Sequence, residues 1–172
     1  LKGLLGLMLL AVIVLGSYRG VQSLFLDNEK YKLQEIDLQT NGYLDHARVV
    51  DLAGIDLGAT IFAVSTEDVR DRLSALPEVV QCDVQRRLPG TLQIKVQERV
   101  PVAWIQCEPV GFLGRRADGV LIDENGITFP CEGALWQASQ NLPVINMITA
   151  KSEDFDHGTK VKHVDLMRAL DL

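Results

Sequence analysis

With 172 residues, 47% of them hydrophobic and 23% charged, the chain has a globular composition and room for one ordinary domain or two small ones. Its formal net charge of -6 argues against a nucleic-acid partner, because binding phosphates needs a concentrated excess of Lys and Arg. The basic residues here are spread thinly, in adjacent pairs only at Arg86-Arg87 and Arg115-Arg116.

The chain opens on an apolar run. From Gly3 to Gly16 no side chain is charged or strongly polar, which as a helix gives about 21 Å against a hydrocarbon core of about 30 Å. Alone it is too short to span. Two readings are open: the outer half of a membrane anchor with Tyr18 and Arg19 at the interface, or the core of a secretory signal with Val14-Leu15-Gly16 as a poor cleavage site. The amphipathic continuation through Val21, Leu24, Phe25 and Leu26 favours the anchor. A buried soluble helix would need a core able to cover it on all sides.

After the polar break at Asp27 to Lys30, Tyr31 to Leu38 alternates as a half-buried strand does, with a bulge between Leu33 and Ile36 that puts Leu33, Ile36 and Leu38 on one face. Asn41-Gly42 turns the chain. A short helix follows with Val49, Leu52 and Ala53 on one side, and Gly54 sits where it should end in the left-handed conformation. Ser65 and Asp68 form a capping pair for a second helix. Its buried stripe is Val69, Leu73 and Leu76, and Pro77 stops it.

A hairpin comes next. Val80, Cys82 and Val84 point one way and Gln81, Asp83, Gln85 and Arg87 the other; beyond a type II turn at Pro89-Gly90, Leu92, Ile94 and Val96 alternate with Gln93, Lys95 and Gln97. The order strand, helix, helix, strand, strand makes an α/β module from about Tyr31 to Arg99. Beyond Pro101 the character changes to short strands: Val102 to Gln106, Val120 to Ile122, Ile127 to Phe129 after the turn Asp123-Glu124-Asn125-Gly126, and Leu142 to Ile145. Lys160 to Leu172 reads as a helix on Val161, Val164, Met167 and Leu170.

Little here points to chemistry. Cys82 lies on the apolar face of its strand and reads as a small core residue, whereas Cys107 and Cys131 flank the hairpin of the 120s and are placed either to pair in a disulfide or to remain buried thiols. His46, His157 and His163 lack a metal-binding spacing, and Asp123 to Gly126 lacks the ligand ladder of a calcium loop. No catalytic, cofactor-binding or metal-ligating set is therefore assigned. The stronger surface is an edge: if the strand from Val79 to Leu88 borders a three-stranded sheet, its free backbone groups can receive another chain, framed by Gln81, Gln85 and Arg87.

The ordered series "IDL" at Ile36 to Leu38, "GATIF" at Gly58 to Phe62, "LPEV" at Leu76 to Val79, "RRLPGTLQIKVQERVPVAW" at Arg86 to Trp104 and "LIDENGITF" at Leu121 to Phe129, behind an apolar N-terminal segment, resembles the FtsQ/DivIB cell-division proteins. That resemblance implies an α+β chain: an N-terminal transmembrane anchor and exit over 1–26, a POTRA-like β-α-α-β-β domain over 27–100, and the start of a β-rich domain over 101–172. It further implies a single-pass protein of the bacterial cytoplasmic membrane, its C-terminal bulk extracytoplasmic, at the division site. The implied role is non-catalytic and without cofactor, with FtsB, FtsL and FtsK-like or septal-synthesis components as partners. The chain departs from the family pattern at Leu38-Gln39-Thr40-Asn41-Gly42, where a Val-x-Gly-Asn-like turn is usual, and its β domain is expected to stop about halfway, short of the late strands that hold FtsB. Two rivals remain: a POTRA module of an outer-membrane assembly or secretion protein, and an anchored envelope enzyme using Cys131 and a histidine.

Overall fold

The computed structural model describes residues 2–21, 28–148, 150–151, 154–155 and 157–170. Helix α1 spans Lys2–Val21. Every residue from Leu10 to Ser17 is exposed, two turns of apolar surface round the whole circumference with no protein packed on them. Among the described residues no helix is long and apolar enough to cross a membrane.

The chain resumes in a 3-10 turn over Glu29–Tyr31 and then builds β1 (Glu35–Thr40), α2 (His46–Ala53), α3 (Thr66–Ser74), β2 (Val79–Arg87) and β3 (Thr91–Glu98). Local chemistry sets the helix ends. The Asp45 carboxylate accepts from Arg48 N at 2.7 Å and the Ser65 hydroxyl from Asp68 N at 3.1 Å, while Gly54 closes α2 at φ 62°. The sheet order is β1-β3-β2, with β1 parallel and β2 antiparallel to β3. Both helices cover one face, where Ile36, Val49, Val69, Leu73, Cys82, Leu92, Ile94 and Val96 are buried together. Each large side chain so buried contributes about 1.5 to 3 kcal/mol.

The strand expected from Tyr31 begins at Glu35 instead. Leu33 is buried all the same, because its N–H reaches Ala59 O (2.8 Å) across the loop that follows α2. Leu52 lies at the rim of α2, exposed. In β2 the pairing shifts between Val79 and Gln81, and that extra residue reverses the facing of the strand's first positions. Val79 takes the inner place expected of Val80, which is 52% exposed. The hairpin tip also differs: the Leu88-Pro89 peptide is cis, and Gly90 is absent from the positive-φ glycines, so the turn is not type II. Gly90 is needed for closeness, since a Cβ there would run into the Lys32 carbonyl.

A second sheet follows from β4 (Pro101–Cys107), β5 (Phe112–Leu113), β6 (Val120–Asp123), β7 (Thr128–Pro130) and β8 (Val144–Asn146), with α4 (Leu135–Ser139) and α5 (Val164–Leu170). β4 pairs antiparallel with β5 and β6 and parallel with β8, and β7 pairs antiparallel with β6. As the central strand, β4 is covered on both faces. Ala103, Ile105 and Cys107 pack with Val120, Ile122, Met147, Val161 and Leu166; Trp104 packs with Leu121, Phe129, Cys131 and Leu135. The Trp104 indole donates to Ser139 O at 2.7 Å and meets Trp136 edge to face. The short helix α4 carries no apolar periodicity long enough to show in sequence.

The disulfide considered for Cys107 and Cys131 is not formed. All three cysteines are free and buried, and Cys107 and Cys131 belong to clusters on opposite faces of β4.

Candidate docking surfaces

β2 lies at the border of the first sheet, so one row of its backbone donors and acceptors faces away from β3. Gln81, Gln85 and Arg87 all stand on the sheet face opposite the helices, exposed. They do not form one cluster with the edge. Gln85 Nε2 donates to Asp83 at 2.8 Å, and the Arg87 guanidinium donates twice to Gln93 Oε1, at 3.1 and 2.9 Å. Gln93 in turn donates to Asp37 at 2.7 Å, completing a polar ladder across all three strands. The ladder buries Gln93, which alternation alone placed in water.

The residues that pattern reading missed sit where the two sheets meet. Arg48 of α2 donates to Glu78 at 2.9 Å and also bonds Glu132, which lies ahead of α4. Arg99 donates from Nε to Pro77 O at 2.8 Å and from Nη1 to Asp123 at 2.9 Å. The other Asp123 oxygen accepts from Asn125 N and Ile127 N, so the turn of the 120s is tied to the same arginine. Glu78 and Asp123 are buried, and ionised groups in that position need partners. Among the described residues no apolar cluster spans both sheets, so the junction is held by polar contacts. The sequence signal was the pair Glu98-Arg99 at the close of an alternating strand, where charge replaces alternation.

Cys131 and Cys82 are poor nucleophiles. Cys131 is 2% exposed, and burial together with the Glu132 charge pushes its thiol up to about 11; burial raises Cys82 as well. Nucleophilic cysteines need the opposite shift. Among the described residues no three His, Cys, Asp or Glu side chains gather as a metal site.

Residues 31–99 match the family model described as POTRA domain, FtsQ-type, the same stretch in which the helices cover one face of the β1-β3-β2 sheet. The chain is similar to the cell division protein FtsQ of Streptomyces collinus, 28% identical over 153 residues, which is 88% of this chain and 53% of that protein. It is 27% identical to FtsQ of Geotalea daltonii over 99 residues, 58% of this chain and 36% of that protein. Against FtsQ of Mycobacterium leprae the identity is 39% over 54 residues, 31% of this chain and 16% of that protein. The chain thus spans about half or less of the length of these curated relatives. The POTRA match of the FtsQ type over residues 31–99 and the wider similarity that runs on into the second sheet both make the FtsQ cell-division proteins what this chain is similar to.

Proposed function

We propose that the chain is the anchor-proximal part of a non-catalytic scaffold of the divisome, held at the cytoplasmic membrane of a bacterium with its sheets on the outer side. It divides into an anchor and exit over 1–26, the POTRA-type domain over 27–100 and an FtsQ-type β domain over 101–172. The observation that carries this reading is α1. Its apolar side chains from Leu10 to Leu15 lie exposed on all sides, which water penalises and lipid does not, and a POTRA-type module follows a few residues later.

Confinement to a membrane raises the effective concentration of partners confined to it as well, so weak edges suffice for docking. Partners of this class are FtsB, FtsL and FtsK-like or septal-synthesis components; a partner other than FtsB is received by strand addition along β2, with Gln81, Gln85 and Arg87 beside the contact. Depletion of the intact protein should give filaments that fail to septate, and a fluorescent fusion should gather at midcell. Normal septation, or a fusion spread through the cytosol, refutes the scaffold. For the docking edge, photo-crosslinkers at Gln81 and Gln85 should capture FtsL or an FtsK-like or septal-synthesis component; capture of none of these refutes the edge alone.

A further inference from the structure

Three separate segments of the POTRA-type unit meet at the end where the chain arrives from α1. The first is the stretch around Tyr31, the second the loop after α2, and the third the β2–β3 hairpin tip. They are stitched together by backbone bonds: Ile61 N to Tyr31 O at 2.8 Å, Leu33 N to Ala59 O at 2.8 Å, and Gln34 N to Gly90 O at 2.8 Å. Arg86 adds a side-chain tie to Ile61 O at 3.1 Å. Each of the two loops carries a large apolar residue that this packing leaves uncovered. Leu57 is 54% and Leu88 62% exposed, and Phe62, 39% exposed, stands against the Tyr31 ring at 5.5 Å.

Scattered single hydrophobes on a surface need no account. Leu57, Phe62 and Leu88 share the free end of the sheet, while exposed Tyr43, Val80 and Val100 lie toward the opposite end, which joins β4 beyond Glu78 and Arg99. The free end is also tethered. Residues 22–27 separate α1 from Asn28, so the first described residue of the unit stands no more than about 25 Å from the end of α1. Exposed Lys30, Lys32, Arg86 and Arg87 surround the tips, against Glu29, Glu35 and Asp56; in the folded chain Lys32 pairs with Glu29 at 3.0 Å, Arg86 donates to Ile61 O and Val64 O, and Arg87 to Gln93. Aromatic and leucine side chains with flanking cations are the composition that settles at a lipid headgroup boundary, where the long basic stems extend toward phosphate.

We propose that this end of the POTRA-type unit rests on the membrane, with Leu57, Phe62 and Leu88 in the headgroup region, so that the unit is oriented by contact as well as by its tether. The proposal rests on reading α1 as embedded in lipid. Its test uses the full chain in phosphatidylethanolamine and phosphatidylglycerol vesicles, with an environment-sensitive fluorophore on Leu57→Cys or Leu88→Cys and, as control, on Leu113→Cys in β5, which is also exposed. The three native thiols are buried and escape brief labelling of the folded protein. At positions 57 and 88 the emission should shift to the blue and be quenched by lipids brominated near the headgroup, and at 113 it should do neither. Labels at 57 and 88 that stay aqueous on a chain that floats with the vesicles overturn the proposal and leave the anchor standing. A chain that does not float with the vesicles overturns the anchor, and the proposal with it.

Discussion

Glu98, the last residue of β3, is the most informative residue to perturb. Only 4% exposed, its carboxylate accepts from Tyr43 N at 2.7 Å and from Leu44 N at 3.1 and 3.2 Å, and the Thr40 hydroxyl donates to it as well. Asn41 completes the clamp, accepting from Glu98 N at 2.7 Å. One side chain thus ties the turn after β1 to the end of β3. Glu98→Ala removes the acceptor for two backbone N–H groups. An unsatisfied buried donor costs about 1 to 3 kcal/mol. Tyr43 is partly exposed and recovers water, while Leu44 is buried and does not. The expected loss is about 2 to 4 kcal/mol, a large share of a typical domain's stability. Glu98→Gln keeps one acceptor oxygen and should lose about half as much. Both tryptophans, Trp104 and Trp136, belong to the second sheet, so urea unfolding followed by far-ultraviolet circular dichroism and by tryptophan fluorescence separates the two units. The dichroism midpoint should fall further than the fluorescence midpoint. A Glu98→Ala variant within about 0.5 kcal/mol of the parent, typical of a neutral surface change, would refute the clamp.

Arg48→Ala leaves the buried Glu78 carboxylate without its cation and should cost about 2 to 4 kcal/mol, with Glu78→Gln in the same chain recovering part of it; an additive double-mutant cycle would contradict the pairing. Gly90→Ala pushes a methyl group against the Lys32 carbonyl and should lower stability by about 1 to 3 kcal/mol, read as a drop in Tm. At pH 8 a thiol raised to about 11 is ionised in only about one molecule in a thousand. Ellman's reagent should therefore react slowly with the native protein and find all three cysteines after unfolding, and dithiothreitol should leave the urea midpoint unchanged. A fall in that midpoint on reduction would restore the Cys107 to Cys131 bridge.

The order of elements was legible because it depends on short-range chemistry. Ser65 announces α3 by bonding its own chain three residues on, and Gly54 ends α2 because a left-handed residue without a Cβ costs least there. Alternation at Leu92, Ile94 and Val96 places one face of β3 in the core whatever packs on it. The similarity to FtsQ proteins was legible for the same reason, since it lies in an ordered series of such local signals.

Tertiary structure decided the rest. The bulge that turns Val80 outward follows from how β2 registers on β3, which no residue of β2 specifies alone. Gln93 is buried because Asp37 and Arg87 reach it from the neighbouring strands. The separation of Cys107 from Cys131 is set by β4 running between two cores. Arg48, Glu78, Arg99 and Asp123 become a junction only when segments far apart in the chain are brought within hydrogen-bond reach. The sequence by itself determined the period, the caps and the turns, which are properties of neighbours along the chain. Facing, pairing and the meeting of the two sheets depend on contacts whose entropy of closure is repaid only by the folded whole.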